Sequence, residues 1–316
     1  MSSETPPRVA LTGGDTELGL VTIRALVRLG APVAAVSRGP RGAERIRRAG
    51  AEAVVGDPAK PGDLASAFGG ADVIVHLSPQ VTNTLVHDGR AWRGWAERLP
   101  REAAAVADAA QRVDARYLVV ASYACLYGEA LDADESTPLV PPTDRVFEAA
   151  ARAERIIEAS GGRHCLARLG FLYGPQSKDL ARYVTSFRLW RPYYAGPSHT
   201  LGNWLHFDDA ADALTRIVVR RPADSILNIV DGHPANFGAV IDHFATLNGF
   251  HRPAHLPRTI RRAIRFFIWN PQQVLLETTT TVQNKRASAI LNWSPRYPSY
   301  VDGLRQTLAV WRSHPR

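Results

Sequence analysis

The feature that most constrains this chain is an alternation. Short apolar runs rich in Val, Ile and Leu take turns with stretches of helical spacing, from residue 8 to about residue 175. Runs of that length read as strands buried on both faces. A strand–helix–strand order calls for parallel pairing, with the helix as the crossover. Strands are expected at 8–12, 32–37, 51–56, 71–77, 116–122, 164–170 and 225–230, and helices at 18–29, 97–113 and across 146–155. The expected fold class is α/β, a doubly wound parallel sheet.

Beyond residue 175 the pattern breaks, and Pro, Trp and Tyr become frequent in WRPYYAGPSHTLGNW and PAHLPRTIRRAIRFFIWNPQQ. Two units are therefore expected. Residues 7–174 and 203–231 form a nucleotide-binding core, and 175–202 and 232–316 form a smaller lobe for substrate. Among the aromatic residues of that lobe, Trp190, Tyr193, Tyr194, Trp204 and Trp269 suit a bulky apolar ligand. Cys125 and Cys165 lie in apolar runs, which fits a reducing compartment without disulfides. The first residues, MSSETPPR, have no signal-like apolar run, and no stretch approaches the ~20 apolar residues of a membrane span. A soluble, cytoplasmic protein is expected. The net charge of +8 is spread along the chain, and the basic run 258–265 reads as a solvated helix face. Neither nucleic acid nor membrane is expected as a partner; a small-molecule substrate is. Nothing in the sequence calls for a metal.

The segment RVALTGGDTELG joins the first strand to the first helix. Dinucleotide-binding turns use three glycines, for the tight turn, for close approach of the pyrophosphate and for helix–strand packing. Gly13 and Gly19 hold the outer places, with Asp15, Glu17 and Leu18 in the turn. Thr16 stands at the middle place, where its hydroxyl is a candidate phosphate donor. At the end of the second strand an acid would take the ribose hydroxyls of NAD, whereas an arginine suits a 2′-phosphate. The chain has Ser37 and Arg38 there, so NADP is expected ahead of NAD, with NAD possible.

Eight segments in order then resemble the extended short-chain dehydrogenase/reductase family, of the NAD-dependent epimerase/dehydratase type. They are TGGDTELG, GDPAKPGDL, ADVIVHLS, ASYACLYGE, DESTPLVPP, ARLGFLYGP, NWLHFDDAADAL and LNWSPRYPSYVDGL, and the resemblance covers residues 8–310. It implies a Rossmann-type sheet of about seven strands with a smaller C-terminal substrate lobe. It also implies that Asp57 and the adjacent Pro58 contact the adenine, that His76, Leu77 and Ser78 line the cofactor, and that Leu169 and Leu172 pass the nicotinamide. Such proteins often dimerise as a four-helix bundle, here through 97–113 and 144–160.

The family's chemistry uses a tyrosine, a lysine four residues later that lowers the tyrosine's pKa, and a serine or threonine on the fifth strand. Aligning the helix VFEAAARAER through Glu154 puts Phe147 and Ala151 at the tyrosine and lysine places, both facing the pocket. Counting back from Tyr127 and Gly128 puts Tyr123 at the serine or threonine place, with Ser122 turned away. Three readings stay open. The protein reduces a bulky metabolite with Tyr123 as the acid. Or it is a redox-silent cyclase, isomerase or lyase using groups such as His206, Asp208, Tyr127, Tyr173 or His87. Or it is a dinucleotide sensor or scaffold.

Overall fold

The computed structural model describes residues 6–77, 89–223, 226–257, 259–260 and 272–314. Ser78, His87 and Trp269 lie outside them, as does almost all of the basic run 258–265. The strands are β1 (Val9–Thr12), β2 (Val33–Ser37), β3 (Glu52–Val55), β4 (Val73–Leu77), β5 (Tyr117–Tyr123), β6 (Ala130–Ala133), β7 (His164–Leu169), β8 (Phe171–Tyr173), β9 (Trp204–His206), β10 (Ile226–Ile229) and β11 (Thr280–Val282). The helices are α1 (Glu17–Arg28), α2 (Pro40–Arg48), α3 (Pro61–Phe68), α4 (Gly89–Arg112), α5 (Arg145–Ala159), α6 (Lys178–Arg188), α7 (Phe207–Arg220), α8 (Phe237–Leu247), α9 (Gln272–Leu276), α10 (Lys285–Leu291) and α11 (Tyr300–Ser313).

Seven strands form one sheet in the order β10–β7–β5–β4–β1–β2–β3, every pair parallel. This is the Rossmann-like α/β sheet. Side-chain alternation sorts each strand's residues between two helical layers. Val9 and Leu11 of β1, and Val73, Val75 and Leu77 of β4, join the cluster under α1 and α7. Ala10 and Ile74 join the cluster under α3, α4 and α5. Within α1, Leu18, Val21, Ile23 and Leu26 are buried, each stabilising the fold by ~1.5–3 kcal/mol. The expected strands are all present, moved or trimmed by at most two residues. Helix α4 begins at Gly89, ahead of the expected 97, and carries Pro100 inside it against the usual preference.

A further apolar cluster joins Tyr173, Tyr183, Phe187, Trp204, Phe244 and Leu304 from β8, α6, β9, α8 and α11. Two short parallel pairs flank the sheet, β8 with β9 and β6 with β11. The latter is stitched into the interior. Asn203 Nδ2 donates to the Thr280 carbonyl at 2.8 Å, its Oδ1 accepts the Val282 N–H at 3.0 Å, and the Thr280 hydroxyl donates to the Gly128 carbonyl at 2.6 Å. Among the described residues no helix is long and apolar enough to cross a membrane.

Candidate dinucleotide site

The turn between β1 and α1 is built around the absence of side chains. Gly13 has φ +69°, and a Cβ there would stand 2.3 Å from the Leu77 carbonyl oxygen. A Cβ on Gly19 would stand 2.2 Å from the Gly13 carbonyl oxygen. Thr16 is the N-cap of α1. Its hydroxyl donates to the Gly13 carbonyl at 2.7 Å and accepts the Gly19 N–H at 3.0 Å. As placed, the hydroxyl directs its proton to the Gly13 carbonyl, where the expectation from sequence directs it to a phosphate. The other N–H groups of the first turn lie at the positive end of the helix, where an anion is favoured. Glu17 in that turn is neutralised by Lys178 at 2.6 Å, a link between α1 and α6. A turn with Gly13, Gly14 and Gly19 at a helix N-terminus fits a pyrophosphate. Gly13, Asp15, Thr16, Glu17, Leu18 and Gly19 all belong to it.

The end of β2 departs from the sequence reading. No acid follows β2 in sequence, but two arrive from elsewhere. Asp15 Oδ2 accepts from the Ser37 hydroxyl at 3.3 Å, and Glu102 of α4 is ion-paired with Arg38. Arg38 Nε also lies 3.9 Å from Asp57 Oδ1. Asp57 itself accepts the Ala59 N–H at 3.0 Å, which shapes the turn holding buried Pro58. Burial pushes the Glu102 carboxyl upward in pKa, and Arg38 pulls it back. Glu102 was legible by position, since an acid stands on the buried stripe Leu99–Ala103–Val106 of α4.

At the C-terminal edge of the central strands, Leu77, Leu169 and Leu172 are buried in the cluster under α1 and α7. His76 Nδ1 lies 2.6 Å from the Thr12 hydroxyl, and burial holds its pKa down to about 4. Tyr123 ends β5 opposite Leu169, is 5% exposed and shares an apolar cluster with Phe147. The inward residues of the first turns of α5 are Val146, Phe147, Ala149, Ala150 and Ala151, all buried. Phe147 and Ala151 are each 1% exposed, and Phe147 packs in the same cluster as Tyr123. A cavity of about 10 Å³ lies just past the strand ends, among Ala124, Cys125, Leu169, Phe171, Asn203 and Thr280. A larger open groove of about 490 Å³ runs outside α1 and α7 and includes none of the glycine turn.

One polar row crosses the sheet beneath α5. Ser122 donates to Glu154 of α5. Arg168 binds both oxygens of Glu154, at 3.2 and 2.8 Å, and donates to the Tyr127 hydroxyl at 2.8 Å. Tyr127 donates to Asn228 Oδ1 at 3.0 Å. Tyr127 is thus held in the interior, and burial raises its pKa further. Tyr173 donates to the Ser299 carbonyl at 3.1 Å, and burial again raises its pKa.

His206 is the N-cap of α7. Its Nδ1 accepts the Asp208 N–H at 3.2 Å and its Nε2 faces Gln306 Oε1 at 3.1 Å, which accounts for the histidine structurally. Nearby, Asp209 accepts the N–H groups of Arg296 and Tyr297, and Asp231 accepts that of His233. Asp231 Oδ2 is buried without a hydrogen-bond partner among the described residues. Burial pushes Asp209 up to about 6 and Asp231 up to about 8, and holds His206 down to about 4.

A pH dependence follows from these shifts. Between about pH 4 and 6.5, neutral His76 and His206 make stability rise with pH, while protonated Asp209 and Asp231 make it fall. Above ~6.5 the histidines are neutral in both folded and unfolded states. Asp231 then dominates until about pH 8. Unfolding free energy should drop by ~2 kcal/mol from pH 6.5 to 8. Asp231→Asn keeps the acceptor for His233 and should flatten that slope in denaturant titrations. An equally steep slope in the variant would refute the assignment.

A family described as NAD(P)H-binding matches residues 13–186. Comparison with curated proteins gave no match. Among solved structures, MoeE5 in complex with UDP-glucuronic acid and NAD is 21% identical, with TM-score 0.77, covering 97% of this chain and 99% of that one. UDP-glucose 4-epimerase from Bifidobacterium longum in complex with NAD+ and UDP is 16% identical, with TM-score 0.78, covering 98% and 99%. UDP-N-acetylglucosamine 4-epimerase from Bacillus cereus is 16% identical, with TM-score 0.75, covering 97% and 99%. With its glycine turn, parallel sheet and strand order, the chain belongs to the NAD(P)H-binding family and has the fold of the epimerases and dehydratases of the extended short-chain dehydrogenase/reductase type.

Proposed function

We propose that this chain binds a nicotinamide dinucleotide along the C-terminal edge of its sheet and reduces a bulky metabolite without a tyrosine–lysine relay. The observation that carries this is the inward face of α5. Val146, Phe147, Ala149, Ala150 and Ala151 offer no phenol or amine, whichever residue of that face is taken as the reference. When bound, the nicotinamide supplies hydride chemistry. The chain must supply the proton, and Tyr123, at the end of β5, is the residue assigned to that task. A bulky substrate is supported by the UDP-sugars named for structural neighbours. In this reading, residues 175–202 and 232–316 are the substrate lobe. Cys125 and Cys165, buried and not disulfide-bonded, fit a reducing, cytoplasmic setting. The outward residues Glu97, Arg101, Glu148 and Arg152 of α4 and α5 are exposed and mixed in charge, which suits pairing with a second copy as a four-helix bundle.

A second reading, a dinucleotide sensor without turnover, is favoured by the same inward face of α5, which offers neither phenol nor amine. The deciding experiment titrates purified protein with NADH and NADPH, then follows cofactor absorbance over a panel of ketones and aldehydes. Oxidation of the bound cofactor supports the reductase. Tight binding without oxidation makes the protein a sensor. Absence of binding overturns both and leaves a redox-silent enzyme. The choice between NADP, expected from Ser37 and Arg38, and NAD turns on how Arg38 is held.

A further inference from the structure

Arg38 is the cation that would receive a 2′-phosphate, and it is already engaged. Glu102, on α4 and far from it in sequence, is 2% exposed and ion-paired with it. Asp57 lies 3.9 Å away on the other side, and Asp15 stands against Ser37. Two carboxylates thus flank Arg38 at the end of β2, a third stands against the adjacent Ser37, and Arg98 of α4 is a further cation near Glu102. Drawing Arg38 toward a phosphate would leave the Glu102 carboxylate buried without its main counter-charge, which is costly. The incoming dianion would also face Asp15 and Asp57 at close range.

Resting on the dinucleotide reading above, we propose that Glu102 is a positioning residue for cofactor selection. It holds Arg38 as a structural counter-ion, so the site takes the unphosphorylated ribose of NAD and rejects the 2′-phosphate of NADP. Sequence alone points the other way, because the carboxylate that neutralises Arg38 comes from a helix on the far side of two strands.

The test is calorimetric titration of the intact protein with NADH and NADPH. Wild type should bind NADH at least ~10-fold more tightly, the scale of one charge-assisted contact. Glu102→Gln should raise NADPH affinity ~10-fold and leave NADH within about threefold. Adding Arg38→Ala to that variant should remove the gain, whereas Arg38→Ala alone should change the ratio little. Should Glu102→Gln fail to fold, Asp57→Asn, on a half-exposed side chain, must move the NADPH/NADH ratio in the same direction. A wild-type preference for NADPH overturns the proposal. So does an unchanged ratio in folded Glu102→Gln, or a gain that survives loss of Arg38. If wild type binds neither nucleotide, the dinucleotide reading itself fails, an outcome distinct from a failed ratio test.

Discussion

Tyr123→Phe is expected to lower turnover of a carbonyl substrate by ~10²–10⁴, the usual cost of losing a positioned acid. The alkoxide that forms on reduction needs a donor. The inward face of α5 offers none, and Tyr123 is the phenol at the end of β5. Tyr123 ends a seven-residue strand whose every residue is buried, so its backbone is rigidly placed. Removing the hydroxyl keeps the ring in its cluster with Phe147. Nucleotide affinity should therefore stay near wild type while turnover falls. Phe147→Ala, by contrast, opens a core cavity and should cost ~3–5 kcal/mol of stability without removing a limb of any pH–rate profile. Near-wild-type turnover in Tyr123→Phe would mean that the proton comes from elsewhere, and the reductase assignment of Tyr123 would be withdrawn.

Arg168→Met is expected to destabilise the fold by ~3–5 kcal/mol, measured by denaturant unfolding, because it leaves the Glu154 carboxylate buried without its partner. The two side chains are only 4% and 3% exposed, so solvent cannot take over. The same change strips Tyr127 of a donor and empties the centre of the row linking β5, β7 and β10. Arg168→Met combined with Glu154→Leu removes both charges and should recover most of the loss, since apolar replacement of a buried pair is often close to neutral. If the single variant costs under ~1 kcal/mol, the ion pair does not hold the polar row beneath α5 together.

The sheet was legible because its strands carry their burial in their composition. VALT, VAAVS and VIVHL are apolar on both faces, and helices separate them. Strands β6, β8, β9 and β11 were not, since three or four residues without alternation look like loop, and their partners are remote in sequence. The glycine turn could be read because glycine is needed wherever a Cβ would strike backbone. The surroundings of Arg38 could not be read in full. Its neighbours in sequence are Ser37 and Gly39, and the acids that decide its charge balance come from the first turn, β3's end and α4. Local spacing reports the backbone of a site well, but the electrostatics of a site depend on residues gathered by the fold.

The pairing of β6 with β11 joins segments about 150 residues apart. At the ~5–20 residues per second of synthesis, β6 waits roughly 8–30 s for its partner to be made. During that interval Asn203 lacks both of its bonds to the Thr280–Val282 segment, and the Gly128 carbonyl lacks the Thr280 hydroxyl. The seven-stranded sheet is complete in sequence at β10, so the β6–β11 pair is a later, longer-range closure. Truncation before residue 280 should give a collapsed, aggregation-prone species with an exposed strand edge, and a chaperone that masks such edges would find its target at β6.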